Sequence, residues 1–255
     1  MKLNRHDQVL RILAETGVLR VEDAVERLKV SPATIRRDFN QLAEAGLVDR
    51  AHGGIRQKHQ GNTLPFAARE IRNAGDKLEI ARRACGLISD GDVIFVDGGT
   101  TTLQLAYCLP PRRLRIITNS LTLAAAIESR TLERGRWEVF LTGGILFPGS
   151  GLLVGPSAQA SIIQYHANWA LLSASGITEA GIYNDNEHVV ESERLMIKNS
   201  DRVAVLADSS KFGHHAMRHI VRLEFLNYIV TNAPTTTSQE IAHRMESQLQ
   251  VLYSR

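Results

Sequence analysis

Three groups of residues are spaced for chemistry. Ala33, Arg36, Arg37 and Asn40 lie in one short stretch, while Ile35, Phe39 and Leu42, four and then three residues apart, take the opposite side of a helix through them. Basic and amide side chains on a free helix face can meet guanine edges, adenine edges and phosphates in a DNA major groove. The second group, Asp97-Gly98-Gly99-Thr100-Thr101-Thr102, follows an apolar run. A glycine pair after a parallel strand lets backbone amides approach a ligand, and threonines at the start of a following helix add hydroxyl donors beside a partial positive charge. An anion, most simply a phosphate, suits that place, although no lysine follows the glycines as it does in a P-loop. The third group is a set of polar loops after apolar runs: Thr118-Asn119-Ser120, Thr142-Gly143-Gly144, Ser173-Ala174-Ser175-Gly176 and Asp208 through Gly213, which contains Lys211. In an open parallel sheet such loops converge on one crevice and can surround a polyhydroxylated ligand, with Lys211 as its fixed positive charge. Blander readings stand beside each: arginines that solvate a surface, a glycine turn without a ligand, a solvated turn lysine.

The elements that position these groups are legible from periodicity. Val9, Ile12, Leu13 and Thr16 predict a helix over residues 4–16 that Gly17 ends. Val21, Ala24, Val25 and Leu28 predict a second. A third starts at Ser31-Pro32, where serine can cap an orphan amide and proline fits the first helical position, and Gly46 closes it. Leu47–Arg50 and Ile55-Arg56, joined by Ala51-His52-Gly53-Gly54, read as a hairpin turning on two glycines. Three helices and a hairpin make a winged helix-turn-helix over residues 1–58, with Arg50 and His52 of the wing placed to reach phosphates or a minor groove and Gly53 counted with them. Residues 59–73 are polar and mostly aperiodic and read as a linker. From residue 74 to 255, helical patterns alternate with the runs 93–96, 114–117, 137–141, 170–172, 203–206 and 228–230, apolar on both faces, which predicts an α/β domain on a parallel sheet.

Composition narrows the class. In 255 residues of 44% hydrophobic and 22% charged content, no run approaches the roughly 20 apolar residues of a membrane span. The N-terminus carries no secretory pattern, so a cytoplasmic location is expected. The net charge of +3 lies within the first 58 residues, which hold 11 Lys or Arg against 8 Asp or Glu; the remainder balances at 19 each. Cys85 and Cys108 sit in apolar helical patterns without metal-ligand spacing, and read as buried free thiols. Neither a metal nor a cofactor is expected.

Ser31 through Phe39, Leu42, Glu44-Ala45-Gly46-Leu47 and Arg50-Ala51-His52-Gly53-Gly54 closely resemble the helix-turn-helix signature of the DeoR family of bacterial regulators. Phe39 stands where that family usually has leucine. The resemblance implies operator binding by the third helix through Ser31, Ala33, Thr34, Arg36 and Arg37, with Asp38 structural. It extends over nearly the whole chain: Asp97–Thr102, Thr118–Ser120, Thr142–Gly144, Gly155-Pro156, Val190–Arg194 and Ala207–Gly213 look like the family's effector-domain motifs. That domain is similar in fold to ribose-5-phosphate isomerase and usually senses phosphorylated sugars or related metabolites. Effector contacts are accordingly expected from Asp97, Gly98, Gly99, Thr100, Thr101, Thr102, Asn119, Ser120, Gly143, Gly144, Ser175, Glu191 and Lys211.

An isomerase needs a carboxylate base beside the carbon that loses its proton. The loop where the isomerases carry aspartates reads Ser173-Ala174-Ser175-Gly176-Ile177 here, without an acid. Glu191 and Glu193 remain, on a helix with Arg194 and Lys198 where ion pairs or hydroxyl contacts are the usual roles. The expectation is a regulator, by family a repressor of a carbohydrate operon, that leaves its operator when a phosphorylated sugar, sugar acid or polyol binds. Few phosphate contacts from one winged helix imply a dimer or tetramer. The rival readings are a sugar-phosphate isomerase with an accessory winged helix, and a winged helix used for protein contacts.

Overall fold

Helix α1 (Arg5–Thr16) turns Val9 and Leu13 into a core completed by Leu19, Ala24, Ile35, Phe39, Leu42, Val48 and Ile55. The computed structural model describes residues 5–44, 47–57, 66–134 and 136–254, and the chain divides into the units Met1–Arg72 and Asn73–Arg255. In the first unit α1 is followed by β1 (Val18–Arg20), α2 (Val21–Leu28), α3 (Pro32–Glu44), β2 (Val48–Ala51) and β3 (Gly54–Gln57). The strands pair antiparallel in the order β1-β3-β2, so the expected two-stranded hairpin is a three-stranded sheet. Buried Leu19 anchors the added strand. Gly46, read as the stop of the third helix, and residues 58–65 lie outside the described residues. The stretch read as an aperiodic linker contains a helix, α4 (Phe66–Ile71), on whose buried side Ala68 lies.

The second unit runs α5 (Ala74–Cys85), β4 (Val93–Val96), a 3-10 turn (Thr102–Tyr107), β5 (Leu114–Thr118), α6 (Leu121–Arg134) and β6 (Trp137–Leu141). A hairpin of β7 (Ile145–Phe147) and β8 (Leu152–Val154) leads to α7 (Pro156–Ile163), β9 (Ala167–Ser173), β10 (Gly176–Thr178), β11 (Gly181–Asn184) and α8 (Glu187–Lys198). Then come β12 (Ser200–Leu206), a 3-10 turn (Ser209–Lys211), β13 (Arg218–Val221), β14 (Tyr228–Thr231), α9 (Thr236–Arg244) and β15 (Gln250–Tyr253). Seven of these strands form one sheet in the order β15-β14-β12-β9-β4-β5-β6, every neighbouring pair parallel. Phe95, Ile117, Ala170, Leu172, Val205 and Ile229 from five of its strands share one core. Among the described residues, no helix is long and apolar enough to cross a membrane.

The strand order locates the site. From β4 the chain winds outward through β5 and β6, then returns to the other side of β4 as β9 and continues through β12. Connections therefore diverge between β4 and β9, and at such a switch point the carboxyl ends of the strands frame a crevice. In register, Val96 lies between Thr118 of β5 and Leu171 of β9. The polar loops singled out from sequence all begin at that same edge.

Candidate nucleic-acid interface and ligand crevice

Helix α3 divides its faces as its spacing requires. Ile35, Asp38, Phe39 and Leu42 are buried, whereas Ser31, Ala33, Arg36 and Arg37 are exposed and Thr34 and Asn40 half-buried. Ser31 caps the helix: the Thr34 N–H reaches its Oγ at 3.3 Å, and the two hydroxyls lie 2.9 Å apart. The turn before it depends on Lys29, a non-glycine residue at φ 56 whose N–H meets the Val25 carbonyl at 2.9 Å. Asp38, 2% exposed, is held from α1 by Arg5, whose Nη2 donates to Oδ1 at 3.0 Å, with His6 Nε2 at 3.2 Å. The Arg5 guanidinium keeps this carboxyl below its ordinary range. Sequence reasoning gave Asp38 a structural role by resemblance and missed its partner, because a 33-residue separation leaves no periodic signal.

In the wing, Arg50, His52 and Gly53 are exposed, and Gly53 takes φ 72 at the turn. Gly54 is required for a different reason: a Cβ there would lie 2.2 Å from the Leu19 carbonyl oxygen of β1. Arg56, not singled out from sequence, is also exposed on β3 and sits 3.8 Å from Asp49.

In the second unit the crevice loops meet through short contacts. Gly98 N donates to Asn119 Oδ1 at 3.2 Å, and Asn119 Nδ2 donates to Asp97 Oδ1 at 3.1 Å, which joins the β4 and β5 tips. A Cβ on Gly98 would fall 1.8 Å from a Leu152 methyl, and one on Gly99 2.3 Å from Ser173 Oγ at the β9 tip. Both glycines are thus forced by close approach rather than by backbone angle. The hairpin strand β8 packs against the same loops, since Leu153 N donates to the Asn119 carbonyl at 2.7 Å. Thr142 N on the Thr118 carbonyl at 3.1 Å brings in the β6 tip, beyond which Gly143 and Gly144 are exposed at φ 69 and 111.

The remaining expected contacts are placed differently from one another. Thr100, Thr101 and Thr102 are buried, and Thr102 Oγ1 donates to the Gly99 carbonyl at 3.1 Å, inside the loop. The element that follows, Thr102–Tyr107, is a six-residue 3-10 turn rather than the expected helix, so it supplies little dipole to an anion. Ser120 is buried with its Oγ capping α6 through the Leu123 N–H at 3.2 Å. Ser175 is half-buried, its N–H on the Tyr183 carbonyl at 2.8 Å. Lys211 is half-buried at the end of a 3-10 turn that Asp208 caps. Burial pushes the Asp208 carboxyl up, but Ser210 and the charges of Lys211 and Lys77 outweigh it and hold the group below its ordinary range. Glu191 is occupied by Arg194 at 3.0 Å, with Arg218 at 3.9 Å.

Glu193, two residues further on, was not among the expected effector contacts. Glu193 and Asp97 are both fully buried and face each other. Asn184 Nδ2 donates to Glu193 Oε1 at 2.9 Å, while Glu193 Oε2 and Asp97 Oδ2 find no donor among other described residues. Burial raises Asp97 to about 6, and burial together with the Asp97 charge pushes Glu193 well above the usual carboxylate range. Near neutral pH one proton therefore stays on Glu193 and serves both groups. The signal was available in the sequence: Val189, Glu193 and Met196 share the buried helical face of α8, whereas Glu191 and Lys198 do not.

A capped helix with a free basic face and a wing, on a chain that also carries a ligand crevice of strand tips, defines a DNA-binding transcriptional regulator with a sensor for a small effector. Residues 5–60 match the DeoR-like helix-turn-helix domain and residues 72–233 the DeoR C terminal sensor domain. The chain belongs to the DeoR family. It is 32% identical over 236 residues to the glycerol-3-phosphate regulon repressor of Escherichia coli K12, covering 92% of each chain. It is 34% identical over 238 residues to the transcriptional repressor AccR of Agrobacterium fabrum, covering 92% of this chain and 91% of that one. Ribose 5-phosphate isomerase A of Methanocaldococcus jannaschii is similar over 55% of each chain at a TM-score of 0.40 and 18% identity. These relatives by sequence are transcriptional regulators, and the chain is a regulator rather than an enzyme.

Proposed function

We propose that this regulator represses a carbohydrate-utilisation operon by sequence-specific binding to its operator, and that a phosphorylated sugar, or a related sugar acid or polyol, releases it. The observation that carries the reading is the exposed Arg36–Arg37 pair on the serine-capped face of α3, whose other face is core. In this reading Ala33, Arg36, Arg37 and Asn40 face base edges, and Ser31 and Thr34 meet the adjacent backbone. Arg50, His52 and Gly53 of the wing follow phosphates. The effector lies across the tips of β4, β5, β6, β9 and β12. There the amides of Gly98, Gly99, Gly143 and Gly144 and the charge of Lys211 favour an anionic group, while Asp97, Thr100–Thr102, Asn119, Ser120 and Ser175 shape the cradle. Glu191, held in ion pairs, acts at its margin. A relative named for the glycerol-3-phosphate regulon supports a phosphorylated effector.

Release requires the effector to bind one arrangement of the protein better than the operator-bound one, since equal affinity shifts nothing. Specific binding at cellular salt favours a dimer or tetramer. The test is selection of genomic duplex fragments on the full-length protein, followed by anisotropy titration of a retained fragment. Arg37→Ala should weaken binding at least tenfold, and a screen of phosphorylated sugars should find one that both raises the melting temperature and lowers DNA affinity. Unchanged DNA binding by Arg37→Ala would instead favour a winged helix used for protein contacts.

A further inference from the structure

The chain has two cysteines in 255 residues, and the fold brings them together. Cys85 is the last residue of α5 and is buried; Cys108 directly follows the 3-10 turn Thr102–Tyr107 and is half-buried, not fully buried as its apolar pattern suggested. Their Sγ atoms are 3.2 Å apart, and both thiols are free. We propose that Cys85 and Cys108 are a reversible oxidation site that closes to an intramolecular disulfide when the protein meets a hydroperoxide.

The geometry favours this product over deeper oxidation. A disulfide needs about 2.05 Å between sulfurs, so the pair must close by only about 1.2 Å. The partly open Cys108 is the sulfur a small oxidant reaches, and Cys85 stands directly behind it. Cys108, as thiolate, attacks the outer oxygen of the hydroperoxide; the O–O bond breaks, an alcohol or water leaves, and a sulfenic acid forms on Cys108. The Cys85 sulfur then attacks that sulfur, the S–O bond breaks, and water departs with the Cys85 proton. Two thiols and one hydroperoxide thus give one disulfide, one alcohol (or water) and one water. Cys85 is buried and Cys108 is the more accessible of the two, so Cys108 reacts first and Cys85 resolves.

The bond would also act on the crevice. Residues 85 and 108 bracket β4 and the whole Asp97–Thr102 loop, so oxidation ties both ends of that segment together. Cytosolic disulfides of this kind are typically transient and redox-sensing.

The test uses the full-length protein exposed to stoichiometric hydrogen peroxide at neutral pH. The expected result is a monomer-sized product about 2 Da lighter, with peptides 85 and 108 cross-linked, reversed by dithiothreitol and with a melting temperature raised by about 5 °C. Cys85→Ala should instead leave a Cys108 sulfenic acid that a diketone probe traps, and Cys108→Ser should leave Cys85 unmodified. Accumulation of sulfinic or sulfonic acid on Cys108 in the unsubstituted protein, a cross-link between chains, or no reaction while a reference thiol is consumed would each overturn the proposal.

Discussion

The two facing carboxyls beneath the β4 tip make a prediction that can be followed through in numbers. In the folded protein Asp97 gives up its proton near pH 6, against about 3.9 in an unfolded chain. Between those values the folded state binds more protons than the unfolded one, so stability contributed by this group is complete below about pH 4 and lost as pH rises through 6. A difference of about two units at 1.36 kcal/mol each amounts to about 3 kcal/mol. Glu193 keeps its proton in the folded state through this window but loses it in the unfolded chain, so it adds a slope of the same sign. The double substitution Asp97→Asn with Glu193→Gln replaces both acids by isosteric neutral amides that can still pair with each other and with Asn119 and Asn184. Every other titrating group is common to both proteins. Melting temperatures of the full-length chains, followed through Trp137 and Trp169 fluorescence, should therefore draw apart with pH. For a unit of this size the double variant's advantage, with both acids contributing, should grow by at least roughly 6–12 °C from pH 4.5 to 7.5. Parallel curves across that range would show that both carboxyls ionise in the folded protein as they do in the unfolded chain, and the shared-proton reading would fail.

Two further substitutions separate the units. Asp38→Asn removes the charge that Arg5 grips and should destabilise the winged helix by about 1.5 kcal/mol at neutral pH. Because Arg5 holds this carboxyl below its ordinary range, the two proteins should converge as pH falls below about 4, which far-UV circular dichroism can follow. Gly54→Ala sets a methyl 2.2 Å from the Leu19 carbonyl, forcing β1 from β3 at a cost of about 1–3 kcal/mol. DNA affinity should fall sharply while the tryptophan-reported transition of the sensor unit stays in place; a shift of that transition would contradict the assignment of the clash to the wing.

What the sequence disclosed follows from where periodicity is long enough to speak. Helix α3 was legible because a cap, a proline and three inward apolar residues agree over a dozen positions, and the central strands because their apolar runs are bounded by loops. Strand β1 has three residues, Val18–Arg20, too few for alternation, so buried Leu19 left no pattern. Helix α4 covers six residues in polar surroundings. Strand β7 is apolar yet exposed along its length, which inverts the rule used to find strands. In the crevice, glycines and polar loops announced themselves, but the distinction between Glu191 and Glu193 turned on the rotational phase of α8, and the meeting of Cys85 with Cys108 on tertiary packing alone.

The crevice takes one tip from each of several strands that are far apart in the chain, from Asp97 after β4 to Lys211 after β12. A family built this way can retune its chemical taste by editing loops singly, leaving the underlying sheet intact. The surface proposed to read the operator offers no such modularity. Its side chains crowd onto little more than two turns of one helix whose inner half is structural, so each new target sequence must be written into the same few exposed positions.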